Sequence, residues 1–378
     1  MADQLFDCGI VGGGLAGLTL AIQLADAGYS VVLFEKEKYP FHKVCGEYIS
    51  MESYDFLERI GVPLSAMNIP MIDEVRISSP DGNTLTRKLD LGGFGISRYT
   101  LDSTLAEIAK NKGVVLLEGT KVTDIAFETD LFSIKTDQQA YHTKTAFGTY
   151  GKRSTLDKKL NRQSVRPVSG KEKNYVGVKY HAKLILPANR IELHNFKDGY
   201  CGISKVDGDR YCICYLTASE NLKDNSNDIK LMEQNVLMKN PYLKRYFEEA
   251  IMLYDEPLTI SQVTFSKRSA IENHVLMLGD AAGTIAPLCG NGMSMAMHAS
   301  FKVFQLTVRY LDGELSREAF ETSYSKEWNA LFSTRIKTGR LIQHFFGKVL
   351  LTNLSIKLLK RIPFVTDRLI SSTHGSKF

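Results

Sequence analysis

Hydrophobic patterning is clearest at the start of the chain. An apolar run from Leu5 to Val11, a glycine turn, an apolar-periodic stretch through Ala27 closed by Gly28, and a second run, VVLFE, ending at Glu35 predict strand, helix and strand in that order. A loop, YPFHKVCGEYIS, follows, then a short helix around Glu52 to Ile60. Strands are predicted near Glu74–Ser79 and Thr84–Leu89 around the turn Pro80-Asp81-Gly82-Asn83, a helix over Thr100–Lys112, and strands over Val114–Val122 and Leu131–Lys135. From about Tyr175 to Leu216 several β-rich runs are broken by Gly199, Gly202 and Asp207-Gly208 with no helix between them, the pattern of an antiparallel sheet. A helical stretch, Asp228–Ala250, is interrupted at Asn240-Pro241, and a strand-like run continues to Phe265. The apolar HVLMLGD and the helix SMAMHASFKVFQL then restore the α/β alternation of the start.

Composition adds limits. A chain of 378 residues, 44% hydrophobic and 24% charged, can bury a large core and form two domains. No apolar run reaches the roughly 18 residues of a spanning helix, and the start lacks the basic region of a signal peptide, so a cytoplasmic protein is expected. Six cysteines contain no C-x-x-C pair, which disfavours a metal framework and suits a reducing compartment. The net charge of +5 divides unevenly: residues 331–378 carry nine basic side chains against Asp367 alone, leaving a weakly acidic body. That balance argues against nucleic acid as a partner. Within the tail, Leu341, Phe345 and Val349 with Ile342, Phe346, Leu350, Leu354 and Leu358 recur at helical spacing among Arg340, Lys348, Lys357 and Lys360. Two readings follow: a helical cap on the body, or peripheral contact with a membrane through residues 340–361.

Two segments carry cofactor chemistry. Gly12-Gly13-Gly14-Leu15-Ala16-Gly17 fits G-x-G-x-x-G between a strand and a helix, where a side chain at Gly12 or Gly14 would block the turn and the approach of a pyrophosphate. Glu35, eighteen residues after Gly17, stands where a carboxylate accepts bonds from ribose hydroxyls. Far downstream, Leu278-Gly279-Asp280-Ala281-Ala282-Gly283 leads through residues 284–289 to Gly290-Asn291-Gly292-Met293. This segment resembles the second fingerprint of FAD enzymes with the para-hydroxybenzoate hydroxylase fold. The resemblance implies that Asp280, after Gly279, bonds the ribityl chain. It also implies that the turn at Gly290 to Gly292, with Met293, opens a helix whose amides face the pyrimidine side of the flavin.

The loop Tyr39-Pro40-Phe41-His42-Lys43-Val44-Cys45-Gly46-Glu47 resembles the P-x-x-K-x-C-G segment of geranylgeranyl reductases and related flavin oxidoreductases, where it lies along the flavin and its cysteine approaches the ring. By that resemblance Lys43, Cys45 and Gly46 meet FAD. Arg98 is similar to an arginine placed on FAD before a helix, and Val122 falls on the adenine-contacting strand. Cys45, His42 and Glu47 are the catalytic candidates, with His42 a candidate proton donor. Alternatively, Cys45 packs as a small buried residue and Lys43 and Glu47 are solvated. Three departures stand out. Tyr150 replaces the aspartate of the hydroxylases' G-A-D-G stretch. Trp328, the single tryptophan, leaves no W-x-W-x-I-P of the halogenases. Tyr200-Cys201-Gly202-Ile203-Ser204-Lys205 keeps the tyrosine of the prenyl reductases' Y-x-W-x-F-P-K but has glycine for its indole, making Tyr200 and Gly202 substrate-wall candidates.

The expected fold class is α/β, α+β overall: a discontinuous Rossmann-like FAD-binding domain (1–74, 96–168 and 270–330), an antiparallel β-sheet substrate lobe (75–95 and 169–269) and a helical C-terminus (331–378). The expected activity is FAD-dependent hydride transfer to or from a carbon–carbon double bond of an apolar polyprenyl- or polyketide-like substrate, with transient NAD(P)H. Hydroxylation with NAD(P)H and O₂ is the alternative, and a flavin-bound binding protein without turnover the alternative of another class. No metal is expected; substrate identity, electron donor and oligomeric state stay open.

Overall fold

A computed structural model describes residues 4–152, 154–160, 162, 174–263, 268–283, 290–345, 348–362, 364, 366–368 and 375–378, without side chains at 262 and 340–345. The elements are β1 (Leu5–Val11), α1 (Leu15–Asp26), β2 (Val31–Phe34), β3 (Tyr48–Ser50), α2 (Tyr54–Arg59), β4 (Met71–Ser78), β5 (Thr84–Gly95), α3 (Arg98–Asn111), β6 (Val115–Leu117), β7 (Val122–Glu128), β8 (Leu131–Thr136), β9 (Ala140–Gly148), α4 (Leu156–Lys159), β10 (Tyr175–Lys183), β11 (Arg190–Phe196), β12 (Gly199–Val206), β13 (Arg210–Ala218), α5 (Ser219–Lys223), α6 (Ile229–Asn235), α7 (Pro241–Glu249), β14 (Ile251–Met252), β15 (Leu258–Val263), β16 (Ile271–Glu272), β17 (Val275–Met277), α8 (Gly292–Leu311), α9 (Arg317–Phe345) and α10 (Val349–Arg361).

The first sheet runs β16-β17-β9-β1-β2-β6, with β8 on β9 and β7 on β8. Its strands β17, β9, β1, β2 and β6 are parallel, and the β1–β2 register sets Cys8 opposite Val31 and Val11 opposite Phe34. A parallel sheet buried on both faces demands apolar strands, and β1 and β2 comply. Strand β9 does not, and the sequence pattern passes over it. Its Thr143 and Thr145 are buried because their hydroxyls donate to the carbonyls of Thr145 and Asp7, so two polar residues fit the sheet's interior. The run Val114–Val122, expected as one strand, is two. Gly119, at φ +65°, turns the chain between β6 and β7, and the Thr120 amide donates to the Glu35 carbonyl.

The second sheet runs β14-β10-β13-β12-β11-β4-β5-β3, with β15 also on β10. It is antiparallel, as the sequence pattern predicts, with one parallel pair, β11 beside β4. Strand β3, within the stretch read as nucleotide domain, pairs with β5 in this sheet. Side-chain alternation divides its two faces. Val178, Tyr180, Ile203, Ile213 and Tyr215 pack beneath Met232, Leu237, Leu243 and Tyr246 of the helical segment 229–249. The opposite face presents Gly177, Lys179 and His181 of β10, Cys212, Cys214 and Leu216 of β13, and Tyr200, Gly202 and Ser204 of β12, in register. This second face lies under the loop 42–47. No helix among the described residues is long and apolar enough to cross a membrane.

Candidate active site

The β1–α1 turn is fixed by close backbone contacts. Gly12 has φ +114°, and a Cβ there would lie 2.6 Å from the Thr149 backbone; a Cβ at Gly17 would lie 2.1 Å from the Gly12 carbonyl oxygen. Thr149 fastens the turn, its hydroxyl donating to the Gly12 carbonyl at 2.6 Å. Glu35, buried at the end of β2, accepts from the Gly13 amide at 2.8 Å and the Glu37 amide at 3.1 Å. Tyr39 closes the turn from outside by donating to the Gly13 carbonyl at 2.5 Å. Leu15 and Ala16 turn their side chains into the core, which leaves only their backbone for a ligand.

Gly14 is different. Its backbone is extended (φ −86°, ψ −175°), and a Cβ would meet nothing nearer than Arg98 Nη2 at 4.0 Å. Neither conformation nor packing within the protein requires a glycine there. Gly14 also begins α1 with no side chain capping the helix amides. Open space, free amides and a nearby guanidinium fit a diphosphate laid against the turn.

Arg98 opens α3, whose N-cap Ser97 accepts from the Thr100 amide. Its Nε and Nη2 both donate to Asp102 at 2.7 Å, and Lys43 Nζ adds a bond to Asp102 Oδ2 at 3.0 Å. Burial alone would raise the Asp102 pKa, but Arg98 and Lys43 hold it below the usual carboxylate range. Lys43 is therefore not a solvated surface lysine; it is half-buried and also stands 4.4 Å over the Phe41 ring.

Glu47 overturns the solvated alternative more fully. It is completely buried, at φ +56°, and its carboxylate pairs with Lys179 Nζ at 2.5 Å, with His181 Nε2 at 2.6 Å and with the Arg98 amide at 2.8 Å. Burial pushes its pKa up, and His181 and Lys179 more than offset that, so the group stays ionised. Lys179 also donates to the Lys43 carbonyl at 3.1 Å. The loop is thus pinned to the sheet by buried charge, a feature that motif reading misses. The available signal was Lys179 and His181 at alternate positions of the otherwise apolar run YVGVKYHAK.

Cys212 joins this cluster and donates to the Cys45 carbonyl at 3.3 Å. Ligand atoms of Glu47, His181 and Cys212 lie within 4.8 Å of one another, a set that the cysteine spacing does not reveal. Two facts weigh against a cation there: Lys179 already holds Glu47, and burial raises the Cys212 thiol well above its ordinary value, keeping its proton.

The remaining loop candidates face outward. Cys45 is half-buried with Sγ 3.6 Å from Met293 Sδ, the second residue of α8, which brings the loop to that helix's start. Gly46 is exposed with no atom within 4 Å of an added Cβ. His42 stacks on Tyr99 with ring centres 4.6 Å apart, lies edge-on to His181 and pairs through Nε2 with the Tyr254 hydroxyl at 3.2 Å. Burial, then Lys179 and His181, lowers its pKa, while its Nδ1 is buried without a hydrogen-bond partner among the described residues. Tyr200 packs with Leu216 and Val263 on the loop-facing side of the sheet, and Gly202 has ordinary room before Leu193. Ser204 donates to the Gly46 carbonyl at 3.3 Å.

Downstream, Gly279 at φ +58° brings the turn after β17 against Ala16 of α1 and Ala296 of α8. Asp280 is half-buried and borders a small cavity with Gly283, Gly292, Met295, Trp328 and Phe332. Gly290, at φ +65°, packs against the Tyr48 ring. Residues 284–289 of the second fingerprint lie outside the described residues. Val122 is buried at the start of β7. Tyr150 does not face the turn as an aspartate surrogate: its hydroxyl donates to Asp157 at 3.2 Å and lies 3.4 Å from Met277 Sδ.

A family model described as an NAD(P)-binding Rossmann-like domain matches residues 10–44. Over its whole length the chain is 23% identical to 75% of conditioned medium factor receptor 1 from Dictyostelium discoideum. Over 86% of its length it is 21% identical to 83% of a digeranylgeranylglycerophospholipid reductase from Methanococcus vannielii. Among solved structures, the flavin-dependent brominase Bmp2 superposes with a TM-score of 0.79 at 17% identity, over 98% of this chain and 93% of that one. In sequence and fold the chain resembles FAD-dependent oxidoreductases of the geranylgeranyl reductase and flavin monooxygenase superfamily. FAD is the cofactor of this superfamily, and the open room at Gly14 beside Arg98 fits its diphosphate. The likeness to the brominase is one of fold: Trp328 lies in α9, packed on Gly283.

Proposed function

We propose that this FAD oxidoreductase catalyses hydride transfer to or from a carbon–carbon double bond of an apolar, polyprenyl- or polyketide-like substrate. The substrate would lie beside the loop 42–47, along the neighbouring part of the same sheet face that carries Tyr200, Gly202 and Leu216. The observation that carries the reading is the pinning of that loop by Glu47, Lys179 and His181, which holds Cys45 at the start of α8. Bound FAD supplies the two-electron chemistry, with NAD(P)H as a transient reductant.

The chain's own groups supply the rest. Glu47 is kept ionised and fully engaged, which suits a positioning residue and not a proton donor. Reduction of a double bond needs a proton at the second carbon, and two groups fit. Cys45 carries a thiol that makes a weak hydrogen bond to Met293 Sδ, and His42 has an Nδ1 without a hydrogen-bond partner among the described residues and a hydrogen bond to Tyr254. Because the His42 pKa is lowered, the ring is neutral at pH 7 and suits passing a proton between Tyr254 and the site. Tyr200, Leu216 and Gly202 form the apolar wall.

The test is anaerobic flavin reduction with NADH and NADPH, followed by substrate-dependent reoxidation. Reoxidation by polyprenyl compounds without oxygen supports the reading, with Cys45→Ala slowing turnover while flavin content stays constant. Substrate-dependent oxygen uptake with a hydroxylated product would instead establish the monooxygenase alternative. A flavin spectrum that responds to no reductant and no substrate would leave a binding protein.

A further inference from the structure

We propose that α10 is a membrane-surface foot that docks on an anionic lipid bilayer. The proposal rests on the helix surface and is independent of the substrate assigned above. The helix is amphipathic in an unusual sense, because its polar side faces the protein. Thr352, Asn353 and Ile356 are buried, and Asn353 bonds Asp81 in the turn between β4 and β5 through its Nδ2 at 2.5 Å and accepts from the Asp81 amide at 3.4 Å. A second tie joins Arg87 of β5 to Asp367 at 3.7 Å. Leucines occupy the outer side: Leu350 is 84% exposed, Leu354 66% and Leu358 55%, with Leu351 and, beyond the helix, Ile362 and Phe364 also exposed.

At about 100° per residue, Leu350, Leu354, Leu358 and Leu351 share roughly a third of the circumference. Arg361 lies within the edge of that arc, and Lys357 and Lys360 follow on the same flank. All three cations are exposed, and none forms an ion pair among the described residues. The expectation of a cap that buries its leucine stripe on the body therefore fails for α10, while side chains 340–347 of the same stripe lie outside the described residues.

Large leucines held in water by a polar anchor call for an apolar partner, and the basic flank selects its charge. A second copy of the chain fits poorly. An isologous pairing of this face would leave Lys357 and Arg361 without an acidic partner, because α10 contains no aspartate or glutamate. A bilayer with acidic headgroups takes the leucines into its interfacial zone and the cations onto its phosphates at once.

The experiment is cosedimentation of the intact, FAD-loaded protein with vesicles of phosphatidylcholine alone or enriched in phosphatidylglycerol, at low and high salt. Binding to the acidic vesicles at low salt is expected, weakened by salt. The Leu350→Gln/Leu354→Gln/Leu358→Gln variant should lower the bound fraction roughly tenfold or more, and Lys357→Glu/Arg361→Glu should abolish the preference for acidic lipid. Unchanged flavin content and melting temperature certify that these exposed substitutions leave the fold intact. If the leucine variant is misfolded, the charge variant and the salt dependence decide alone. Absence of wild-type binding to acidic vesicles at low salt overturns the proposal, as does equal binding by both variants. A wild-type dimer that the leucine variant dissociates, without vesicle binding, would assign the face to a second copy.

Discussion

At the β1–α1 turn the geometry is carried by backbone: Gly12 and Gly17 bring main chain against main chain, and Glu35 accepts from amides. Beneath the loop 42–47 it is carried by a buried ion pair, Glu47 with Lys179, and by the Glu47–His181 hydrogen bond, from β10 and a loop far apart in sequence. The first arrangement specifies a shape that a diphosphate can enter and tolerates little change. The second specifies where a loop sits, and its stability depends on each charge keeping its partner. Motif reading finds the first because glycines at fixed spacing are its cause. It misses the second because the partners are joined only by folding.

The largest effect should follow from breaking the charge cluster. Glu47→Ala leaves Lys179 buried without its carboxylate, a loss of about 3–5 kcal/mol in unfolding free energy. Glu47→Gln, which keeps the shape and some hydrogen bonds, should cost less. Linkage gives an independent check. The pKa of Glu47 is lowered in the folded state, so its stabilisation is present above the unfolded value and is lost as pH falls through the folded one. Denaturant melts of the wild type should therefore show an acid limb below the ordinary glutamate value of 4.5 that flattens in Glu47→Gln. Equal acid limbs would show that the cluster contributes no net stability.

At the backbone end, two glycines two residues apart should behave differently. Gly12→Ala forces a side chain into φ +114° and against Thr149, and backbone strain of this kind costs about 1–3 kcal/mol. Gly14→Ala meets only Arg98 at 4.0 Å and should leave the apoprotein's stability within about 0.5 kcal/mol. Its defect should appear as loss of bound flavin, measured by equilibrium dialysis. Full retention of FAD by Gly14→Ala would show that the diphosphate lies elsewhere.

The sequence announces the β1–α1–β2 unit and the sheet lobe because their hydrophobic periods are regular and their breaks are glycines. It hides β9, whose threonines satisfy their hydroxyls on neighbouring carbonyls and so pass as loop residues. It identifies Arg98 and Lys43 as site residues by resemblance, but not the Asp102 that holds both. Asp102 is one turn along α3 from Arg98, so the i, i+4 spacing could have revealed it. Lys43 and Lys179 reach the site from unrelated elements, and no local pattern encodes that meeting. The leucines of α10 are plain in the sequence, yet which side of the helix faces water depends on Asn353 finding Asp81.

The smallest expected effect lies where backbone and charge meet. Thr149 fastens Gly12 through its hydroxyl, and the next residue, Tyr150, reaches the other way to Asp157, which also accepts from Arg162 at 3.0 Å and Arg268 at 3.1 Å. Burial, reinforced by Asp157, raises the Tyr150 pKa, so the phenol keeps its proton and donates. Tyr150→Phe removes that donor but leaves Asp157 with two guanidinium partners and the ring with its packing. The expected loss is about 1 kcal/mol of stability, the usual worth of one hydrogen bond whose acceptor is not orphaned, with FAD content unchanged. A loss of flavin in Tyr150→Phe without loss of stability would mean that the tyrosine serves the cofactor directly. It would then stand in for the hydroxylases' aspartate, and the separation between a backbone end and a charge end would fail at this residue.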